Sequence, residues 1–353
     1  MLIRFLAKLE NIVNLKKITH MRLLEFNKLF PDESSCRLHW KKEREKQGIV
    51  CKRCGGIVHD WKEKQQMWDC RDCHFRTSLR SGTIMESSNL PFRDWYVAMH
   101  LITSTRQTFS AKELQRELGR NRYEPVWAML HKLRYAMGER DGKYELENFV
   151  EFDDAFFSSF EHHTKEEKKE IGQAPKDPIK RGKGSQKKSK VIVMAESLPA
   201  TPEEQEEGGY SKPRKLGHVK MVVVKDLLAE TINEQVDDKI EKSGTVRTDG
   251  STSFVGIKTK VKEHQFEVLK NSEDVNRYLP WVHTMISNAK RTLLGIHYLI
   301  GKGYLQQYLN EFNYCINRRY FGEKIFDRLI IASIQCSHTK VSEIRYEFLK
   351  DCG

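Results

Sequence analysis

Apolar and polar side chains alternate with period two through residues 149–157, Phe-Val-Glu-Phe-Asp-Asp-Ala-Phe-Phe, and the pattern predicts a strand. Alternation places Val150, Phe152 and Asp154 on one face and Glu151, Asp153 and Ala155 on the other. A carboxylate buried in a strand is costly unless it is paired or bound to a cation. The run therefore reads either as a central strand that holds a metal through an aspartate, or as an edge strand with solvated acids. Downstream, residues 190–195 and 218–224 predict two more strands, residues 227–240 a helix, and residues 244–250 a short strand ending in Asp249-Gly250. An aspartate at the carboxyl end of a strand is where α/β folds place ligand-binding groups, although Asp-Gly is also an ordinary turn. Residues 281–296 then carry Val282, Met285, Ile286, Ala289 and Leu293 as the apolar stripe of a helix. Asn288 lies on its flank, about 120° from the stripe's centre.

The first third of the chain has a different texture. Cys51-x2-Cys54 and Cys70-x2-Cys73 are separated by fifteen residues, and between them Val58, Trp61, Trp68 and the polar residues 62–66 read as two short strands and a turn. Each Cys-x2-Cys turn aims two thiolates at one point, and two such turns give a tetrahedral four-sulfur site suited to zinc. With all four ligand positions filled the ion is structural, and His59 and His74 are not needed as ligands. Leu90-Pro91 opens a helix carrying Trp95, Met99 and Ile102, and Ser110-Ala111-Lys112-Glu113 is a capping box opening a short helix with Leu114 and Leu118. Gly119 stops it, Arg120-Asn121-Arg122 turn the chain, and a second helix from Pro125 carries Val126, Leu130, Leu133 and Met137, with His131, Lys132 and Arg134 elsewhere. Short helix, glycine turn and longer basic helix follow the helix-turn-helix plan, which is also an ordinary way to build a core.

Composition tips that balance toward DNA. Lys and Arg number 61 against 49 Asp and Glu, a formal charge of +12 over 353 residues, which favours a polyanion such as nucleic acid over an anionic membrane surface. Hydrophobic content of 39% supports two or three domains with real cores. No uncharged apolar run approaches the roughly 18 residues of a transmembrane helix. The first twenty residues are broken by Arg4, Lys8, Glu10, Lys16 and Lys17, so they read as a short amphipathic helix or as residues upstream of an alternative start at Met21, not as a signal peptide. Cys36, Cys315, Cys336 and Cys352 are scattered, which suits a reducing cytoplasm. Residues 161–190 form a lysine-rich polar loop, and residues 199–209 a second, acidic one.

The order of these parts, three antiparallel strands, a helix, a strand and a helix, is that of a ribonuclease-H-like fold. Together with the paired Cys-x2-Cys turns, Leu90-Pro91, Gln115-Arg116-Glu117-Leu118-Gly119, Val150-Glu151-Phe152-Asp153-Asp154, Arg247-Thr248-Asp249-Gly250, Val282-His283, Ser287-Asn288-Ala289-Lys290, Tyr308-Leu309-Asn310-Glu311-Phe312 and Asn317-Arg318-Arg319, it gives a specific signature. From about Phe26 onward the chain resembles zinc-ribbon insertion-sequence transposases of the ISXO-like type, in the DDE superfamily. The resemblance implies a multidomain α+β and α/β protein. Its expected layout is an extension at 1–20, a zinc ribbon at 21–85, a helix-turn-helix region at 90–142, a ribonuclease-H-like mixed sheet flanked by helices at 148–335, and a tail at 336–353.

It further implies that Asp153 and Asp249 are the catalytic aspartates, with Asn288 where many relatives have Glu, and that these three hold two Mg2+ ions beside the structural Zn2+ of the ribbon. An Asn-bearing branch with an accessory Lys and His maps onto Lys290 and His297. Asparagine offers a carbonyl oxygen but no charge and no basicity near neutral pH, so Glu311 of the next helix is the alternative third ligand, unless it is simply a solvated or capping acid. His283 and His297 read as proton carriers or, more simply, as core or phosphate-facing histidines. Arg120, Arg122, Lys132, Arg134, Arg291, Arg318 and Arg319 are the expected DNA contacts. The implied activity is Mg2+-dependent cleavage and strand transfer on double-stranded DNA at terminal inverted repeats and at a target, by a cytoplasmic, DNA-associated homodimer or larger assembly. A catalytically dead, DNA-binding regulator and a nuclease without strand transfer are the rival readings.

Overall fold

The computed structural model describes residues 21–105, 108–160, 188–199, 214–268, 277–297 and 300–337. The extension at 1–20, nearly all of both polar loops and the tail from 338 lie outside the described residues. The chain divides into two compact units: described residues up to 105, 114–129 and 318–337 make the first, and 108–113 with 130–317 the second.

In the first unit α1 (Leu23–Leu29) and α2 (Glu33–Gln47) precede the cysteine-bearing sheet, where the sequence signals only a ribbon. Asp32 starts α2 by accepting the Ser35 N–H at 2.8 Å, with Ser35 reaching back to the Asp32 N–H, a reciprocal cap. Helix α2 then buries Cys36, Trp40 and Arg44. The Trp40 indole donates to the Leu79 carbonyl at 2.8 Å and Arg44 to the Ser78 and Leu79 carbonyls at 2.7 and 3.0 Å, which fastens α2 to the chain leaving the sheet. That sheet is β1 (His59–Lys62), β2 (Met67–Cys70) and β3 (Arg76–Ser78), all antiparallel, with β2 central. Helix α3 (Phe92–Ser104) and the helix Lys324–Gln335 complete this unit, whose aromatic centre packs Phe326 against Phe26, Phe30, Tyr96 and His100.

Helices α4 (Ala111–Glu117) and α5 (Glu124–Gly142) follow the predicted pattern: the Ser110 hydroxyl accepts the Glu113 N–H at 3.1 Å, and Gly119 turns the chain at φ +61°. The boundary between the two units falls within each of them.

The second unit is built on a five-stranded mixed sheet. Strand β4 (Phe149–Ser158) pairs antiparallel with β5 (Lys188–Pro199), which pairs antiparallel with β6 (Arg214–Val224). On its other side β4 runs parallel to β7 (Thr245–Asp249), and β7 parallel to β8 (Glu263–Glu267), giving the order β6-β5-β4-β7-β8. The acid-bearing strand is therefore central, and the edge-strand reading fails. Its alternation is realised: Val150 and Phe152 pack with Ile192, Val246 and the Ile232–Val236 face of α6 (Ala229–Lys239). Ala155 and Phe157 pack on the opposite side with α7 (Pro280–Ile296) and α8 (Leu305–Asn317). Helices on both faces make this a ribonuclease-H-like sheet. The fifth strand, β8, gives no apolar signal because it lies at the sheet edge with its side chains half or fully exposed.

No described helix is long and apolar enough to cross a membrane.

Candidate active site

The centre of the site follows from strand register. The β4–β7 ladder pairs Phe149 with Thr245, Val150 with Val246 and Glu151 with Arg247. Two residues further along each strand stand Asp153 and Asp249, so the two aspartates are level on adjacent parallel strands that lie roughly 4.8 Å apart. Both point to the same face, since side chains two residues apart share a side. Asp153 is buried, and its Oδ1 accepts the Asp154 N–H at 2.8 Å. Asp249 ends β7 half-buried, and its Oδ1 accepts the Ser251 N–H at 3.2 Å, which shapes the turn. Gly250 allows that turn: a Cβ there would meet the Val268 Cα at 3.0 Å and its Cγ2 at 2.4 Å.

Helix α7 is brought to the pair by Glu151. Its buried carboxylate accepts the Trp281 and Val282 N–H groups at 2.7 and 3.0 Å, satisfying donors at the positive end of the helix. Burial raises the Glu151 carboxyl above its ordinary value, against those two N–H groups and the Arg247 charge. The anchored first turn points His283 at the aspartates, with Nε2 3.5 Å from Asp153 Oδ2. Burial lowers the His283 imidazole, the Asp249 charge opposes that, and Lys290 reinforces it. His283 thus senses both aspartates.

Asn288 stands elsewhere on α7. It is five residues from His283, about 140° around the helix, and its Oδ1 accepts from Arg291 at 3.2 Å. Lys290 lies on the His283 side, seven residues on, with Nζ 5.5 Å from the centre of the Phe157 ring. Burial lowers its ammonium below the ordinary lysine range, and Lys188 adds to this. His297, just past the end of α7, is pulled down to about 4 by burial and by Arg134, and its ring sits 4.6 Å from that of Tyr308.

Glu311, the alternative third ligand, and Arg134, an expected DNA contact, hold each other instead. The Arg134 Nε donates to Glu311 Oε2 at 2.6 Å, with 1% and 2% of the two side chains exposed, and the guanidinium lies 4.0 Å over the Tyr308 ring. A guanidinium closed off from solvent cannot meet a phosphate, so the DNA-contact expectation for Arg134 is corrected. Lys132 and Arg318 are also buried, Arg120 is tied through Nε and Nη2 to Asp94 at 2.7 and 2.8 Å, and Arg319 stacks 4.3 Å over Tyr320. Arg122 and Arg291 are exposed.

In the first unit the Sγ atoms of Cys51, Cys54, Cys70 and Cys73 all lie within 4.8 Å of one another. Tetrahedral zinc with Zn–S bonds of about 2.3 Å needs sulfurs about 3.8 Å apart, and the Cys51–Cys73 and Cys54–Cys70 separations are 3.5 and 3.6 Å. The Arg53 and Gly56 N–H groups point at the Cys51 and Cys54 sulfurs, both at 3.4 Å. At Gly56 a Cβ would come 3.2 Å from the Cys54 and Cys70 sulfurs. The donor set fits structural zinc.

Part of the chain matches a known family. Residues 145–317, which span the sheet and helices α6 to α8, match the family model of the ISXO2-like transposase domain. This part of the chain is an ISXO2-like transposase domain. Within residues 145–317 the chain thereby carries a transposase domain of the DDE type. Both aspartates of the transposase domain, its Glu151 anchor and the Arg134–Glu311 pair's acid lie inside the matched residues. Among solved structures, a chain in "Crystal structure of the Mos1 Strand Transfer Complex" is similar at 11% identity, over 69% of this chain and 79% of that one, with a TM-score of 0.25. No curated protein matches the chain.

Proposed function

We propose that the protein cuts and joins DNA at the ends of its own element, with Asp153 and Asp249 holding the divalent cations of the reaction. The observation that carries this is the level placement of the two carboxylates on the central parallel strands of a transposase domain. Hard oxygen donors at such a spot suit Mg2+, which is bound through one or two carboxylates together with waters and substrate phosphates. When bound, the cations activate the attacking oxygen and stabilise the leaving one. The protein's own part is placement: β4 and β7 fix the carboxylates, and Glu151 fixes α7 across them with His283 against Asp153. A water oxygen attacks phosphorus at the element's end and the P–O3′ bond breaks, leaving a 3′ hydroxyl. That hydroxyl attacks a target phosphodiester, whose own P–O3′ bond breaks to release the target's 3′ hydroxyl, so the strands are joined without a covalent protein intermediate. The family's chain order assigns the third position to Asn288, which lies about 140° around α7 from His283. Glu311 is held by Arg134 and is the weaker candidate. Binding of the ends falls to the zinc ribbon and helices α4 and α5, with exposed Arg122 and the +12 net charge as support, and cutting two ends together calls for a dimer or larger complex.

The test uses purified protein, Mg2+ and duplexes carrying the inverted repeats that flank the gene, with Asp153→Ala and Asp249→Ala as controls. Cleaved and joined products from wild type alone support the proposal. Specific binding with intact strands establishes a regulator, and cleavage without joined products a nuclease. Asn288→Ala and His283→Ala, assayed beside them, show which α7 residue serves the aspartate pair.

A further inference from the structure

A cavity of about 220 Å3 opens between the end of β4, the start of β5 and the second half of α7. We propose that it is a subsite for a single unstacked nucleotide of the DNA strand, a few nucleotides from the phosphate under attack. This rests on the DNA-cleaving function proposed above. The cavity has two kinds of wall. Phe157, Leu293, Ile300 and Leu305 are apolar and buried, while Lys188, Lys290 and His297 supply the polar side. Among the described residues neither lysine has a carboxylate partner, and the His297 Nε2 is buried without a hydrogen-bond partner. Two like charges converging on one cavity favour an anion between them. An apolar pocket edged by cations and an unsatisfied ring nitrogen matches a base joined to its phosphate. Its volume is below the roughly 300–1,000 Å3 of pockets for drug-sized ligands, so it takes one base and not a larger group. Enzymes that hold a base outside the stack use such apolar walls with a few polar groups.

Position supports the same occupant. Phe157 is four residues beyond Asp153 on β4 and on the same face, about 13 Å away at roughly 3.3 Å per residue. Lys290 is two turns beyond His283 on the same side of α7, about 10.5 Å along the axis. A strand whose phosphate is at the aspartates reaches the cavity along the partly exposed His283–Lys290 side of α7.

Lysine footprinting by reductive methylation of the full chain tests the proposal, with thymidine 5′-monophosphate, thymidine, inorganic phosphate and a short single-stranded oligonucleotide as probes. Both nucleotide probes should protect Lys188 and Lys290 while leaving exposed lysines such as Lys258 unchanged, and thymidine and phosphate should protect far less. Leu294→Trp, which puts an indole at the exposed rim, and Lys188→Gln should each weaken nucleotide protection about tenfold, the range expected for a lost base contact, with melting unchanged. Equal protection by inorganic phosphate overturns the proposal, as does no protection. If wild type cleaves DNA yet nucleotides protect neither lysine, the subsite falls and the transposase function stands. If nucleotides protect but wild type neither binds nor cuts its ends, the DNA strand is overturned as occupant, and the failure lies in the functional reading.

Discussion

Replacing Glu311 by Gln tests whether this acid belongs to catalysis or to the core. In the structure its carboxylate is 2.6 Å from the Arg134 Nε, and both side chains are almost wholly buried. Burial alone would lower the Arg134 guanidinium, but Glu311 and Tyr308 reverse this, so the residue remains charged. Removing the carboxylate's charge leaves a guanidinium with no anion in a site water cannot reach. Breaking one partner of a buried pair costs about 3–5 kcal/mol, which in a unit of 150–250 residues lowers the melting temperature by about 6–20 °C. The measurement is urea and thermal unfolding followed by circular dichroism, with the two units treated as separate transitions. Arg134→Met should cost a similar amount, and Arg134→Met with Glu311→Leu should recover most of the loss, giving a large coupling in a double-mutant cycle. Below its lowered melting temperature, Glu311→Gln should still cleave DNA. A variant that melts like wild type but has lost cleavage would refute the reasoning and make Glu311 a ligand.

Four further outcomes follow from the geometry. Glu151→Ala strands two N–H groups at the start of α7, so it should cost about 1–3 kcal/mol and slow cleavage by releasing His283 from Asp153, both measurable on one preparation. Gly250→Ala forces a Cβ against Val268 and should destabilise by about 1–3 kcal/mol while weakening Mg2+ binding measured by calorimetry. Cys51→Ser, or a strong chelator, should remove one zinc per chain by atomic absorption and unfold the ribbon, leaving the transition of the second unit in place. His297, held to about 4 in the folded chain against about 6.5 when unfolded, takes up its proton first in the unfolded state. Its contribution is therefore complete above pH 6.5 and is lost as pH falls from there toward 4. His297→Phe should flatten the wild-type fall in stability across that window.

Residue pattern alone carried the secondary structure of the second unit because each element writes its period into its side chains. Period two marked β4, an apolar stripe at helical spacing marked α7, and the caps at Ser110 and Gly119 marked the ends of α4. The structure extended β5 and β6 beyond their apolar cores, since ladder hydrogen bonds continue through polar residues that no hydrophobic pattern reports. It added β8 for the same reason, and α2, whose start is signalled only by Asp32 and Ser35. The cysteine spacing was sufficient for the four-sulfur cluster, because ligands that close in sequence have little choice of geometry.

What lay beyond the sequence was pairing between distant residues. That Asp153 and Asp249 are level depends on which strand lies beside β4 and in what register. That Arg134 faces Glu311 and not DNA depends on how α5 and α8 meet, and a basic residue on a helix looks the same either way until its neighbours are known. The orientation of α7, with His283 toward the aspartates and Asn288 turned aside, is set by Glu151 reaching across 130 residues of chain to the Trp281 N–H. Local pattern determined the elements and the kind of chemistry the chain can do. Tertiary packing decided which charged groups are free to do it, because burial and partner, not residue type, determine whether a charge meets substrate or core.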